Sequence, residues 1–209
     1  MNASAVAGSV TALLPLSLLE AVRAQDRPDE VIEDEQFAIS LPRRLGLTGV
    51  VDNQIRQYET ASRSGRMVSM DEFINLIKLV LKRPDAEAIL RDTGHRMAEN
   101  HFGKVAKSYV RALRLLPKGL MARAFRRSAQ KLLKQMAGDA EIEVNGRPPA
   151  ARIQPNSLAA QEPVGLACAL YGATLQHLAH LYTGSVVEDA HTRCSTNSSP
   201  ACEWTLSGW

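Results

Sequence analysis

The spacing of hydrophobic and polar positions predicts amphipathic helices through the middle of the chain. The first opens at Ser69, because Ser69-Met70-Asp71-Glu72 is a capping box and apolar residues then recur at helical spacing. Arg83-Pro84 ends it. Three further segments share the helical periodicity: residues 84–103, 105–116 and 117–136.

After Gly138 the period of the pattern changes from about 3.6 to about 2 residues. Residues 140–144 and 151–153 alternate apolar and polar positions around Asn145-Gly146, a pair typical of hairpin turns. The alternation therefore predicts a β-hairpin.

The last quarter of the chain combines a helix with two β segments. The helix is expected from Pro163 to about Tyr182 and should be buried, because residues 164–175 carry no charge. The β segments are expected at Ser185–Ala190 and Ala201–Leu206. Helices first and antiparallel strands later predict an α+β fold in which N-terminal helices pack on an antiparallel sheet.

The 209 residues divide into an arm and one domain. Residues 1–40 are first uncharged and then acidic, which indicates a flexible N-terminal arm, and residues 41–209 form the domain. The uncharged run, residues 4–19, has no basic flank and contains Pro15, so it favours neither a signal peptide nor a membrane span. With an odd number of cysteines, three, the chain is expected in the reducing cytoplasm.

Charge is distributed unevenly, and the region from His101 to Gly138 is strongly basic. It contains ten lysines and arginines and no acid, so it should attract anions. No nucleic-acid-binding motif accompanies these charges, so nucleic acid is not an expected partner. Amphipathic basic helices also suit peripheral contact with the anionic surface of the inner membrane.

All three cysteines lie in the last 42 residues, together with a histidine. Cys168, His191, Cys194 and Cys202 supply the four ligands that tetrahedral zinc prefers. A site closed by four protein ligands would be structural and not catalytic. Two alternatives stay open: the cysteines are small buried hydrophobic residues, or Cys194 and Cys202 form a disulfide.

The same segment resembles the 4-vinyl reductase domain family, which is distantly similar to the vesicle-tethering TRAPP subunits. The resemblance rests on the pattern Cys168-x3-Gly172-x11-Gly184-x6-His191-x2-Cys194-x7-Cys202-x-Trp204. Metal-binding sensors of the family use Cys, Glu, Cys and Cys, and here His191 takes the place of the Glu. The length of the chain makes it most similar to the members that act in bacteriochlorophyll synthesis.

The resemblance implies a role at the divinyl tetrapyrrole stage, on divinyl protochlorophyllide or a magnesium porphyrin. The chain would be a component of vinyl reduction, as a divinyl (proto)chlorophyllide 4-vinyl reductase, or a carrier of the tetrapyrrole, with other enzymes of the pathway as partners. The alternative is a sensor of small aromatic ligands, or an interaction module, of the same fold. A homodimer is expected from the resemblance and from the small residues Gly165, Ala169 and Ala173.

A reductase needs a hydride source, and the sequence shows no readable nicotinamide or flavin site. A carrier needs only an apolar cleft with cations for the carboxylates of the pigment. The candidate cleft residues are Tyr109, Arg111, Arg114 and Tyr171. The competing interpretation makes the aromatic residues part of the core and the arginines part of a solvated face.

Overall fold

A computed structural model describes residues 8–26, 48–103, 118–155, 157–158, 165–193 and 201–208. The helices are α1 (Leu13–Gln25), α2 (Thr48–Arg63), α3 (Met70–Val80), α4 (Ala86–Phe102), α5 (Lys118–Met136) and α6 (Ala169–Thr183), with a short 3-10 helix at Leu166–Cys168. The strands are β1 (Ser9–Thr11), β2 (Met67–Ser69), β3 (Glu141–Asn145), β4 (Ala150–Gln154), β5 (Glu188–Arg193) and β6 (Cys202–Ser207). The helix predicted at 105–116 lies outside the described residues.

The strands form two antiparallel sheets. Four of them pair in the order β3-β4-β6-β5, and β1 pairs with β2. Helices packed with antiparallel sheets confirm the predicted α+β class. No helix among the described ranges is long and apolar enough to cross a membrane.

The prediction of a flexible arm over residues 1–40 is wrong for Ser9–Gln25. Strand β1 pairs with β2, and α1 is buried along most of its length. Pro15 lies in the first turn of α1, where the missing N–H would have no partner within the helix, so it does not interrupt the helix. The apolar run before the acidic stretch is therefore part of the core, while residues 27–40 lie outside the described ones.

Local signals predicted the start of α3 and the first hairpin correctly, whereas α6 begins at Ala169 and not at the predicted Pro163. The hydroxyl of Ser69 accepts a hydrogen bond from the backbone N–H of Asp71, so Ser69 caps α3 as predicted. The carboxylate of Glu72, which a capping box would turn back to Ser69, accepts from the hydroxyl of Tyr58 instead, and α3 already ends at Val80. Strands β3 and β4 pair from Glu141 with Gln154 to Asn145 with Ala150, which confirms the predicted hairpin.

Strand β5 begins three residues later than predicted. Gly184 ends α6 with a φ of 72°, a left-handed conformation that glycine adopts without strain. Residues 185–187 then cross from the helix to the sheet, and the side-chain amide of Gln176 donates to the carbonyl of Val187. This later start places His191 inside the strand.

Helices α4 and α6 pack closely at the centre of the molecule. A Cβ at Gly94 of α4 would lie 2.6 Å from the carbonyl oxygen of Leu170 and 3.0 Å from the Cβ of Ala173, so only glycine allows this approach. Ala173 belongs to the small-residue stripe that suggested a homodimer. That part of the stripe is thus covered within the chain, and the homodimer stays a prediction from resemblance.

The α4–α6 contact also contains a pair of stacked histidines. The rings of His95 and His177 stack at 4.7 Å, and His177 Nε2 lies 3.2 Å from Glu99 Oε1. Burial and the neighbouring His177 hold the pKa of His95 below its ordinary 6.5, although Asp92 and Glu99 oppose the shift. The folded state therefore favours neutral His95.

Because the unfolded chain then binds more protons, stability should fall as pH drops through 6.5, and it should be fully present above it. We expect His95→Gln to weaken this pH dependence. Urea unfolding at pH 7.5 and 5.5, in constant zinc, measures the difference. Equal losses of stability for the variant and the wild type would contradict the assignment.

Candidate metal centre

Two buried cysteines meet where α6 begins and β6 begins. Cys168 closes the short 3-10 helix that leads into α6, and Gly165, with a φ of 78°, starts that helix. Cys202 is the first residue of β6 and pairs with Ile153 of β4. The side chains are 1% and 0% exposed, and their sulfurs lie 3.5 Å apart. The two thiols therefore link the buried helix to the sheet.

His191 approaches these sulfurs from the edge strand. It pairs with Trp204, and alternation along β6 puts Trp204 and Cys202 on the same inward face. The ladder shifts register between His191 and Arg193, which marks a β-bulge beside the histidine. Residues paired across an antiparallel ladder point to the same face, so the pairing with Trp204 puts the imidazole on the side of the thiols.

Together the three side chains form a group that can hold a metal ion. One ligand atom from each of Cys168, His191 and Cys202 lies within 4.8 Å of the others. Two sulfurs bound to one tetrahedral zinc at about 2.3 Å would be separated by about 3.8 Å, close to the spacing of the thiols here. His191 is exposed, so the site lies at the border between core and solvent.

Aromatic rings pack beside the candidate metal centre and support His191. The His191 ring stacks on Trp204 with centroids 5.1 Å apart and planes 14° from parallel. The edge of Tyr171 packs against the same indole at 5.8 Å. A Cβ at Gly172 would lie 3.3 Å from Trp204 Cδ1 and would clash with the carboxylate of Asp189, so this glycine lets the sheet approach α6.

Tyr171 lies in the core and not at an open cleft, with 1% of its surface exposed. Burial raises the pKa of its hydroxyl well above the ordinary value, and charge on Cys168 and Cys202 raises it further. Tyr171 therefore stays neutral beside the thiols. The other residues predicted for the site, Cys194 among the metal ligands and Tyr109, Arg111 and Arg114 in the cleft, lie outside the described residues.

A cavity of about 150 Å³ opens on the outward face of the sheet. Polar side chains of four strands line it, among them Glu143, Arg152, Thr192 and Glu203. Pockets for drug-sized ligands measure roughly 300–1,000 Å³ and are mostly apolar, so this cavity does not suit a tetrapyrrole.

One contact near the site was not foreseen from the sequence. Asp189 lies two residues before His191 on β5, and its side chain is only 11% exposed. Its carboxylate lies 3.8 Å from Arg91 of α4, so the pair joins the edge strand to the helix layer. Asp189 lies within the predicted strand, but that strand ended at Ala190, so the sequence analysis did not place Asp189 and His191 on the same face of one strand.

No known protein family, curated protein or solved structure matches the chain.

Proposed function

We propose that the chain is a zinc-stabilised tetrapyrrole-binding protein of the 4-vinyl reductase type, acting in bacteriochlorophyll biosynthesis at the divinyl stage. The observation that carries this proposal is the convergence of Cys168, Cys202 and His191, which come from three separate elements. The cysteines and the histidine of the sequence pattern can bind one metal ion only if their side chains meet in the fold, as they do for Cys168, Cys202 and His191.

Zinc fits the donor set best. Thiolate and imidazole are preferred ligands of zinc, whereas calcium and magnesium prefer oxygen. Cys194 follows His191 by three residues, a stretch of chain that spans up to about 10 Å, so it is within reach as the fourth ligand. With four protein ligands the ion would be structural and would fix the edge strand to α6.

The glycines and the tryptophan of the family pattern also have definite places in the fold. Gly172 allows the close approach of Trp204 to α6, Gly184 ends that helix, and Trp204 supports the ring of His191. These roles support the proposed kinship and, with it, a TRAPP-like arrangement of the α+β fold. The pigment itself is proposed from this kinship.

Titration with the pigment tests the proposal. Purified protein mixed with divinyl protochlorophyllide, or with its magnesium-porphyrin precursor, should shift the Soret band in a saturable way. Arg111→Gln combined with Arg114→Gln should weaken binding about tenfold or more, because charge-assisted hydrogen bonds to the carboxylates are lost. Arg63→Gln, on α2, is the matched control and should leave the affinity unchanged.

The same sample separates the alternatives. Binding of phenols without any tetrapyrrole binding would overturn the proposal in favour of an aromatic sensor. Loss of the divinyl spectrum on addition of NADPH or reduced ferredoxin would establish a reductase. Persistence of that spectrum with both reductants would establish a carrier.

A further inference from the structure

Helix α5 presents a stripe of cations to solvent. Four exposed basic residues form this basic stripe: Arg123, Arg127, Lys131 and Lys134. At 100° per residue their side chains fall within an arc of about 80°, and they extend over about 17 Å of the helix. The row is therefore a continuous positive ridge along the outside of the molecule.

Contacts on the buried face of α5, opposite the basic stripe, fix the orientation of the helix. Phe125, Leu132 and Met136 are fully buried, and the side-chain amide of Gln130 donates to the carbonyl of Ile142 in β3. Rotation of α5 about its axis would expose these groups to water. The stripe thus faces outward as a stable feature of the fold.

Nothing in the described part of the chain neutralises the stripe. Each of its four residues lacks an ion pair with any described acid. The helix itself contains no acid, and the next one along the chain, Asp139, lies beyond its end. Unpaired cations in a row attract an extended anionic surface.

The exposed side chain of Leu120 indicates which kind of anionic surface the stripe binds. It lies in the same arc, one turn before Arg123, and 51% of its surface is exposed. An apolar side chain beside cations suits a lipid bilayer, where it enters the boundary between headgroups and acyl chains. Single-stranded nucleic acid is bound in grooves lined with aromatic rings, whereas the stripe is a ridge and contains no aromatic residue.

We propose that the basic stripe and Leu120 dock the protein on an anionic phospholipid bilayer. The contact is peripheral, with α5 lying parallel to the membrane plane. Each cation near an anionic leaflet strengthens partitioning about fivefold, so four cations and one leucine give reversible and salt-sensitive attachment. The proposal does not rest on the metal or on the pigment.

Sedimentation with vesicles tests it. Wild-type protein should pellet with vesicles of 30% phosphatidylglycerol in phosphatidylcholine, stay in solution with pure phosphatidylcholine, and be released by 0.5 M NaCl. Arg127→Gln combined with Lys131→Gln should weaken partitioning about twentyfold. Arg56→Gln combined with Arg63→Gln, exposed on α2, removes the same charge elsewhere and should change partitioning less than twofold.

A second pair of substitutions in the basic stripe and a substitution of Leu120 test the same surface independently. If Arg127→Gln combined with Lys131→Gln lowers the Tm, Arg123→Gln combined with Lys134→Gln replaces it and should weaken partitioning by the same factor. Leu120→Gln leaves the charge unchanged and should weaken binding to the vesicles a few-fold. Equal losses for the α2 control would overturn the proposal, because they would indicate a net-charge effect. No binding to anionic vesicles, or stripe-dependent binding to a DNA oligonucleotide alone, would overturn it as well.

Discussion

Replacement of Cys202 by Ser is expected to remove zinc from the protein and to lower the Tm by about 10 °C or more. Cys202 is fully buried and lies 3.5 Å from Cys168, so its sulfur is a central member of the proposed ligand set. Without it, the edge strand would lose its link to α6, since structural zinc contributes directly to folding free energy. Mass spectrometric metal analysis and thermal unfolding measure both effects.

Two controls show whether a lower Tm of Cys202→Ser comes from the loss of zinc or from the loss of side-chain packing. Thr205→Ser changes the outward face of the same strand and should leave both zinc content and Tm near wild type. A chelator should lower the Tm of the wild type and leave that of Cys202→Ser unchanged. If the variant lost stability but retained a full equivalent of zinc, the role of Cys202 as ligand would be refuted.

Gly94→Ala is the second change with a large expected effect. A Cβ at this position would lie 2.6 Å from the carbonyl oxygen of Leu170 and 2.9 Å from the backbone nitrogen of Thr174. Both neighbours are helix backbone, so α4 and α6 would have to separate. We expect a destabilisation of about 2–4 kcal/mol, measured by urea unfolding, although alanine favours helices in general.

Gly119→Ala is the matched control on another helix. There the added Cβ would meet only the end of the Arg147 side chain, which can move away. The control should therefore be neutral, or stabilising by up to about 1 kcal/mol. Equal destabilisation of the two variants would show that the close approach of α4 and α6 is not what requires Gly94.

Short-range signals in the sequence predicted most of the local structure. The Ser69 cap and the turn at Asn145-Gly146 form between residues a few positions apart, so they do not depend on distant contacts. The burial of α1 could not be found in this way. Its apolar face is stable only when it packs against α4 and α2, which lie far from it in the sequence.

The candidate site likewise combines features that the local sequence predicts with features that depend on how the strands pair. Residue types and spacing were sufficient to single out Cys168, His191 and Cys202 as candidate ligands of one ion. Their actual meeting depends on sheet order, because β6 pairs with both β4 and β5 and so carries Cys202 next to the edge strand. That pairing also produces the bulge beside His191 and brings the carboxylate of Asp189 close to Gly172. No local sequence pattern predicted either feature.

X-ray absorption at the zinc edge of the purified protein tests the central claim most directly. We expect one zinc per chain, with two or three sulfur ligands at about 2.3 Å and a nitrogen ligand at about 2.0–2.1 Å. A folded protein that contains no zinc, or zinc surrounded by oxygen alone, would contradict it.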